Sequence, residues 1–217
     1  MNSTTIKQER QDAGWPDECH IAVVGATGAG KSSFVNALRG IRNGHPGAAP
    51  VGTSGTTREV HRYLGYNSDD FWIHDVHGVG TESVEAAGYF SAYNLRLYDC
   101  VLVVYSDQRR AVDLRILEAC DYRHVPVCLV RTQSDQSIRN IVYNYGMALA
   151  DAMEILIEDI LGDINSAFHA AELPDKLQQS VFLVKKNGLY SSVTGCGGGK
   201  YGINEQYLVK KLSSVNR

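Results

Sequence analysis

The chain of 217 residues sets 21 Lys and Arg against 24 Asp and Glu, a formal net charge of −3, with 44% hydrophobic residues. That length fits one cored domain, or two only if both are small, and the charge argues against a general nucleic-acid binder, which carries a basic face. No run approaches the roughly 20 apolar residues of a bilayer span, and Met1–Glu18 lacks the apolar core of a secretory signal.

Peripheral membrane contact is left open. The cysteines (Cys19, Cys100, Cys120, Cys128, Cys196) are odd in number and have no CxxC spacing. They read as reduced packing residues of a cytoplasmic protein, not as zinc ligands or a disulfide framework.

Past a polar leader over residues 1–18, a strand at His20–Gly25 runs into Gly25-Ala-Thr-Gly-Ala-Gly-Lys-Ser32 and then a helix at Lys31–Arg39. This strand–GxxxxGKS–helix order is a phosphate-binding loop: glycines let successive N–H groups turn inward, and the helix start adds its dipole. Gly25, Ala26, Thr27, Gly28, Ala29, Gly30, Lys31, Ser32 and Ser33 are the expected nucleotide contacts. Lys31 reaches the β- and γ-phosphates, and the Ser32 hydroxyl ligates Mg²⁺. Asn43–Thr57 is rich in Gly, Pro, Ser and Thr, without periodicity, where a mobile phosphate-sensing loop belongs.

Strands at Val60–Tyr66 and Phe71–Asp75, joined by Asn67–Asp70, read as an antiparallel edge hairpin. Beyond them alternate a helix at Ser83–Arg96, a strand at Asp99–Ser106, a helix at Val112–Asp121 and a strand at Pro126–Arg131. A long helix follows within Ile138–Ala171, then a strand at Ser180–Val184 and a helix at Asn204–Ser213. In the long helix Met153, Ile157, Ile160, Ile164 and Phe168 recur at helical spacing, with Asp151, Glu154 and Glu158 on another face. Gly195–Lys200 reads as a flexible connector. Such alternation predicts an α/β fold: three layers, a mostly parallel sheet with one antiparallel edge hairpin, and helices on both faces. The domain is expected over 19–213, with a short tail at 214–217.

Three weaker motifs follow in order. Asp75-Val-His-Gly78 ends a strand, about forty residues past Lys31. Its carboxylate would hold the Mg²⁺ shell through water, and the Gly78 N–H would sense the γ-phosphate. Thr57, or alternatively Thr56, would bring a hydroxyl to Mg²⁺ and the γ-phosphate. Thr132-Gln-Ser-Asp135 follows a strand, and the Asp135 carboxylate can accept both N–H donors of guanine's Watson–Crick edge.

Together these segments resemble the P-loop GTPases, and more closely the immunity-related GTPases of the dynamin-like group. The resemblance rests on Gly25–Gly40, Gly47-Ala-Ala-Pro50, Phe71–Gly80, Val130–Asp135 and Val181–Val184. It covers roughly Cys19 to Leu212, the nucleotide-binding domain alone, so the chain is either a trimmed domain or a minimal branch. Several positions depart from the family pattern. Gln133 replaces the lysine that packs on the guanine face, His77 a proline, Ala26 an acidic residue, and Lys185-Lys186 a Ser-Asn pair. Lys185 or Lys186 is then the candidate to lay its stem along the base.

Val79 stands where many GTPases keep a water-positioning glutamine, so hydrolysis is slow unless another group assists. His77 is a candidate to approach the γ-phosphate, against a plain solvent-facing switch histidine. The leading reading is a Mg²⁺-dependent GTP-hydrolysing switch assisted by a homodimer or an activating protein. The alternative is a GTP-binding interaction module that hydrolyses little. An ATPase or small-molecule kinase ranks third, since it leaves Asp135 without a role.

Overall fold

All six residues of Cys19–Val24 (β1) are buried, apolar but for His20, as a strand covered on both faces must be. The computed structural model describes residues 3–52, 60–66, 71–76, 78, 86–107, 111–196 and 202–215. Around β1, His61–Leu64 (β2), Phe71–Asp75 (β3), Cys100–Tyr105 (β4), Val127–Arg131 (β5) and Val181–Leu183 (β6) complete one sheet in the order β2-β3-β1-β4-β5-β6. Every pairing is parallel except β2 with β3, where His61 faces Asp75 and Leu64 faces Trp72. The α/β class and the antiparallel edge pair are as expected. The turn Asn67–Asp70 and the connector at 197–200 lie outside the described residues.

Strand residues alternate between two cores. Ile21 and Val23 face the side covered by Lys31–Leu38 (α2) and Glu205–Val215 (α8), through Phe34, Leu208 and Leu212. Ala22 and Val24 face the side covered by Ala86–Ala92 (α3), Ala111–Tyr122 (α4), Ser134–Tyr145 (α5) and Leu149–Ala170 (α6). In α6 the buried stripe is Leu156, Ile160, Ile164 and Phe168, at spacings of four, with Met153 and Ile157 on its flank. Asp151, Glu154 and Glu158 are exposed.

The structure redraws three segments. The long helical region is two helices: α5 begins already at Ser134 and stops at Gly146, whose φ of 62° suits a residue without Cβ. Lys186–Thr194 (α7) was unforeseen, since Lys-Asn-Gly is a poor helix opening. Within the polar leader Ser3–Asp12 (α1) is helical and docked, with Arg10 paired to Asp99 at 2.9 Å, its Nε donating to the Leu97 carbonyl, and Glu9 paired to Arg96.

Candidate functional site

The turn after β1 forms because Gly25 sits at φ 134° against the backbone of β4: a Cβ there would lie 2.0 Å from the Val104 carbonyl oxygen. The chain then loops out, exposing Thr27 and Gly28, and re-enters at Lys31 as α2. Lys31 is 7% exposed, and its Nζ donates to the Ala26 carbonyl at 3.0 Å, curling over its own loop. Burial lowers its pKa, while Asp75 and Asp113 pull it back up. Phosphate oxygens entering the loop would replace that carbonyl as acceptors and strengthen the charged form.

Asp75 ends β3 beside Val23, which brings it to the foot of α2. Its Oδ2 accepts the Ser32 hydroxyl at 2.7 Å, while Oδ1 is buried with no hydrogen-bond partner among the described residues. Burial raises the Asp75 pKa, opposed by the Ser32 bond, Lys31 and His61. An orphaned carboxylate oxygen beside a serine hydroxyl is a donor set for a hard divalent cation, so these residues fit Mg²⁺. Gly78 rests on the same loop. A Cβ there would lie 2.7 Å from Thr27 Oγ1 and 2.8 Å from both Lys31 Nζ and the Thr27 backbone nitrogen, so only glycine fits. Asn43 donates to the Ser33 hydroxyl at 3.0 Å, and Asn36 brackets Ala49 with two hydrogen bonds, so the described start of the Gly- and Pro-rich loop is tied to α2. Thr56, Thr57, His77 and Val79 lie outside the described residues.

A cavity of about 290 Å³ adjoins the loop, walled by Gly30, Phe34, Gln133 and Val184. Thr132 also lines it, but its hydroxyl donates to the carbonyls of Ala29 at 2.7 Å and Tyr105 at 3.1 Å, tying the base motif to the phosphate loop. Gln133 adopts φ 57° as the cap of α5. Asp135 lines the cavity from the first turn of α5 and is paired at 3.1 Å with Arg139, a further lining residue. Arg139 was not foreseen, although its place four residues past Asp135 on one helix is the signal that finds it. Of the two lysines, Lys186 lines the cavity and Lys185 does not.

His74, beside the switch in sequence, is buried on the far side of β3. Its Nε2 lies 2.9 Å from His20 Nδ1, and Trp15 and Tyr98 pack on it.

A phosphate loop, a metal-ready aspartate and a base-sized cavity at the carboxyl ends of parallel strands define a P-loop nucleotide-binding domain. A family model described as "Interferon-inducible GTPase (IIGP)" matches residues 4–191. The chain belongs to that family. It is similar to T-cell-specific guanine nucleotide triphosphate-binding protein 2 of Mus musculus, 32% identical over 121 residues, 56% of this chain and 29% of that protein. It is also 30% identical to interferon-inducible GTPase 5 of Bos taurus over 148 residues, 65% of this chain and 32% of that protein. The chain thus spans less than a third of the length of these relatives. Among solved structures, the fold resembles Aquifex aeolicus Era Y63A bound to GDP·AlF4⁻, at TM-score 0.55 and 18% identity, covering 91% of this chain and 56% of that one. A probable GTP-binding protein engB gives TM-score 0.52 at 14% identity, covering 92% and 99%.

Proposed function

We propose that this chain binds GTP with Mg²⁺ and hydrolyses it to GDP and phosphate as a nucleotide-controlled switch. The observation that carries this reading is the convergence of Lys31, Ser32, Asp75 and Gly78 on one loop that opens into the cavity bearing Asp135. Lys31 leaves the Ala26 carbonyl for the β- and γ-phosphates, and Ala26 to Ser33 offer their N–H groups to the same oxygens. Asp135 accepts the two guanine N–H donors, while Thr132 fixes that motif against the phosphate loop. Lys186 and the first N–H groups of α7, which have no intrahelical acceptor, border the other side of the base. Mg²⁺, held by Ser32 and Thr57 and through water by Asp75, would neutralise charge on the β- and γ-oxygens.

The side chain that orients water is the missing part, because that of Val79 has no polar atom. A second copy or an activating protein supplies it, as arginine does in trans for other GTPases. Five free thiols, four of them buried, suit a cytoplasmic protein, and no described helix is long and apolar enough to cross a membrane. The domain boundary is taken as 19–213, with the leader docked through α1.

The test is phosphate release from GTP and from ATP with Mg²⁺ across a wide range of protein concentration, with Lys31→Ala as control. GTP-selective turnover that rises per molecule with concentration and vanishes in Lys31→Ala is the expected result. Binding without turnover at any concentration would favour the interaction module, and Lys31→Ala binding GTP as tightly as the parent would overturn the site.

A further inference from the structure

The geometry points to Glu205 as a positioning residue for base recognition, through which α8 controls the preference for guanine. This rests on the guanine reading above. β6 is one of the sheet's two edge strands and, among the described residues, pairs on one side only, with β5. Its free edge is closed by two side chains at the start of α8. Leu183 donates its N–H to Asn204 Oδ1 at 3.1 Å and accepts the Asn204 N–H at 3.2 Å. Val184 donates inward, to the Arg131 carbonyl at 2.8 Å. Lys185 then donates its N–H outward, to Glu205 Oε1 at 2.8 Å. The alternation of a strand thus continues two residues past β6, with Asn204 and Glu205 standing in for a seventh strand.

Those two residues aim the cavity wall. Val184 and Lys186 line the base cavity, and Lys185 between them is the N-cap of α7. Glu205 is 1% exposed, and its other oxygen accepts the Ile203 N–H, so the carboxylate is fixed by backbone donors on both sides. Gly188 in α7 lies directly on it: a Cβ there would sit 2.5 Å from Oε1. A carboxylate locked between two backbone N–H groups and a glycine surface can move only with α8. Shifting α8 therefore shifts the main chain of Lys185 and Lys186 against the base, whereas the phosphate loop keeps its own bonds, Lys31 to the Ala26 carbonyl and Ser32 to Asp75.

The experiment compares the parent chain with Glu205→Ala, Glu205→Gln and Gly188→Ala. It measures affinities for GDP, ADP and inorganic tripolyphosphate, all with Mg²⁺, by calorimetry. Losing a bond to a charged acceptor that orients the wall predicts about a tenfold loss of GDP affinity in Glu205→Ala. Tripolyphosphate, which has no base, should bind unchanged; ADP, which cannot give Asp135 the two guanine N–H donors, should lose less than GDP, so the GDP-over-ADP ratio falls. Gly188→Ala pushes the carboxylate from the other side and should reproduce the loss, and Glu205→Gln, which keeps one acceptor, should recover part of it. GDP and tripolyphosphate weakening together, or a parent-like GDP-over-ADP ratio in both Glu205→Ala and Gly188→Ala, would overturn the role. A parent with no preference for GDP over ADP would instead overturn the guanine reading, and the role of Glu205 with it.

Discussion

Lowering the pH from 7 to 5.5 should destabilise this protein through one buried histidine pair. Pro16 offers only a carbonyl to His20 Nε2, at 3.0 Å, so that nitrogen carries the hydrogen and His20 Nδ1 is an acceptor. His74 Nε2, 2.9 Å away, must then donate, which leaves its Nδ1 to accept from the Tyr98 hydroxyl. Both rings are neutral in this chain of bonds. Burial holds the His74 pKa down to about 3 from 6.5, helped by His20, Arg62 and Arg10, and burial lowers His20 as well.

The unfolded chain therefore takes up a proton as pH falls through 6.5, whereas the native state refuses it until about pH 3, so stability is present above 6.5 and lost below. The linkage term RT ln(1 + 10^(6.5−pH)) grows from about 0.2 kcal/mol at pH 7 to about 1.4 at pH 5.5. His74 alone thus removes about 1.3 kcal/mol, or about 3–5 °C of Tm for a domain of this size. The Asp75 carboxyl, raised by burial, works in the opposite sense at lower pH, which is why the window stops at 5.5. Urea melts of the parent and of His74→Gln at both pH values measure the effect, and the variant should lose at least half of the slope. A parent equally stable at pH 7 and 5.5, or equal slopes in the two proteins, would refute the neutral-pair assignment.

Thr132→Val deletes the donor that joins Ala29 and Tyr105 while keeping the shape of the side chain. Urea unfolding should show a loss of about 1–2 kcal/mol at constant m, with Thr132→Ser near the parent, and a parent-like valine variant would contradict the tether. Gly78→Ala sets a methyl 2.8 Å from Lys31 Nζ and from the Thr27 backbone nitrogen. Fluorescent-nucleotide titration should then show GDP affinity within about threefold of the parent but GTP affinity reduced about tenfold. Equal GTP affinity would remove Gly78 from the γ-phosphate site.

The phosphate loop was legible because everything that builds it is local: an apolar strand, glycines at fixed offsets, and a helix starting at Lys31. Asp75 and Asp135 were legible because parallel strands deliver their carboxyl ends to one edge. What escaped reading is held by contacts between distant segments. α7 opens on Lys-Asn-Gly, a sequence with little helical preference, and its cap residue is fixed by Glu205, 20 residues downstream. The apolar period runs through Gly146 almost unbroken, so α5 and α6 merged when read as one pattern. The segment Thr132–Asp135 is legible as a base motif, but only the partnership of the Thr132 hydroxyl with Ala29, 103 residues away, shows that it braces the loop. His74 stands next to Asp75 in sequence, yet strand alternation turns the two side chains to opposite faces.

The same division bears on the proposed mechanism. The residues assigned to the nucleotide are anchored by the scaffold, Asp75 by Ser32 and Lys31 by Ala26, and so are the segments that carry the base cavity, Thr132 by Ala29 and Tyr105 and Lys185 by Glu205. Affinity is consequently a property of how the sheet edge and its helices pack, and perturbations of packing reach it. Rate is not built the same way. The position after Gly78 is a valine, whose side chain has no polar atom to align water, and buried Asp75 is committed to Ser32 on one oxygen and suited to a cation on the other. On the proposed reading, a site that holds the nucleotide without a side chain to position water turns over only when something else supplies that group. That is the physical reason for expecting activity per molecule to depend on concentration or on a partner, and not on the bound nucleotide alone.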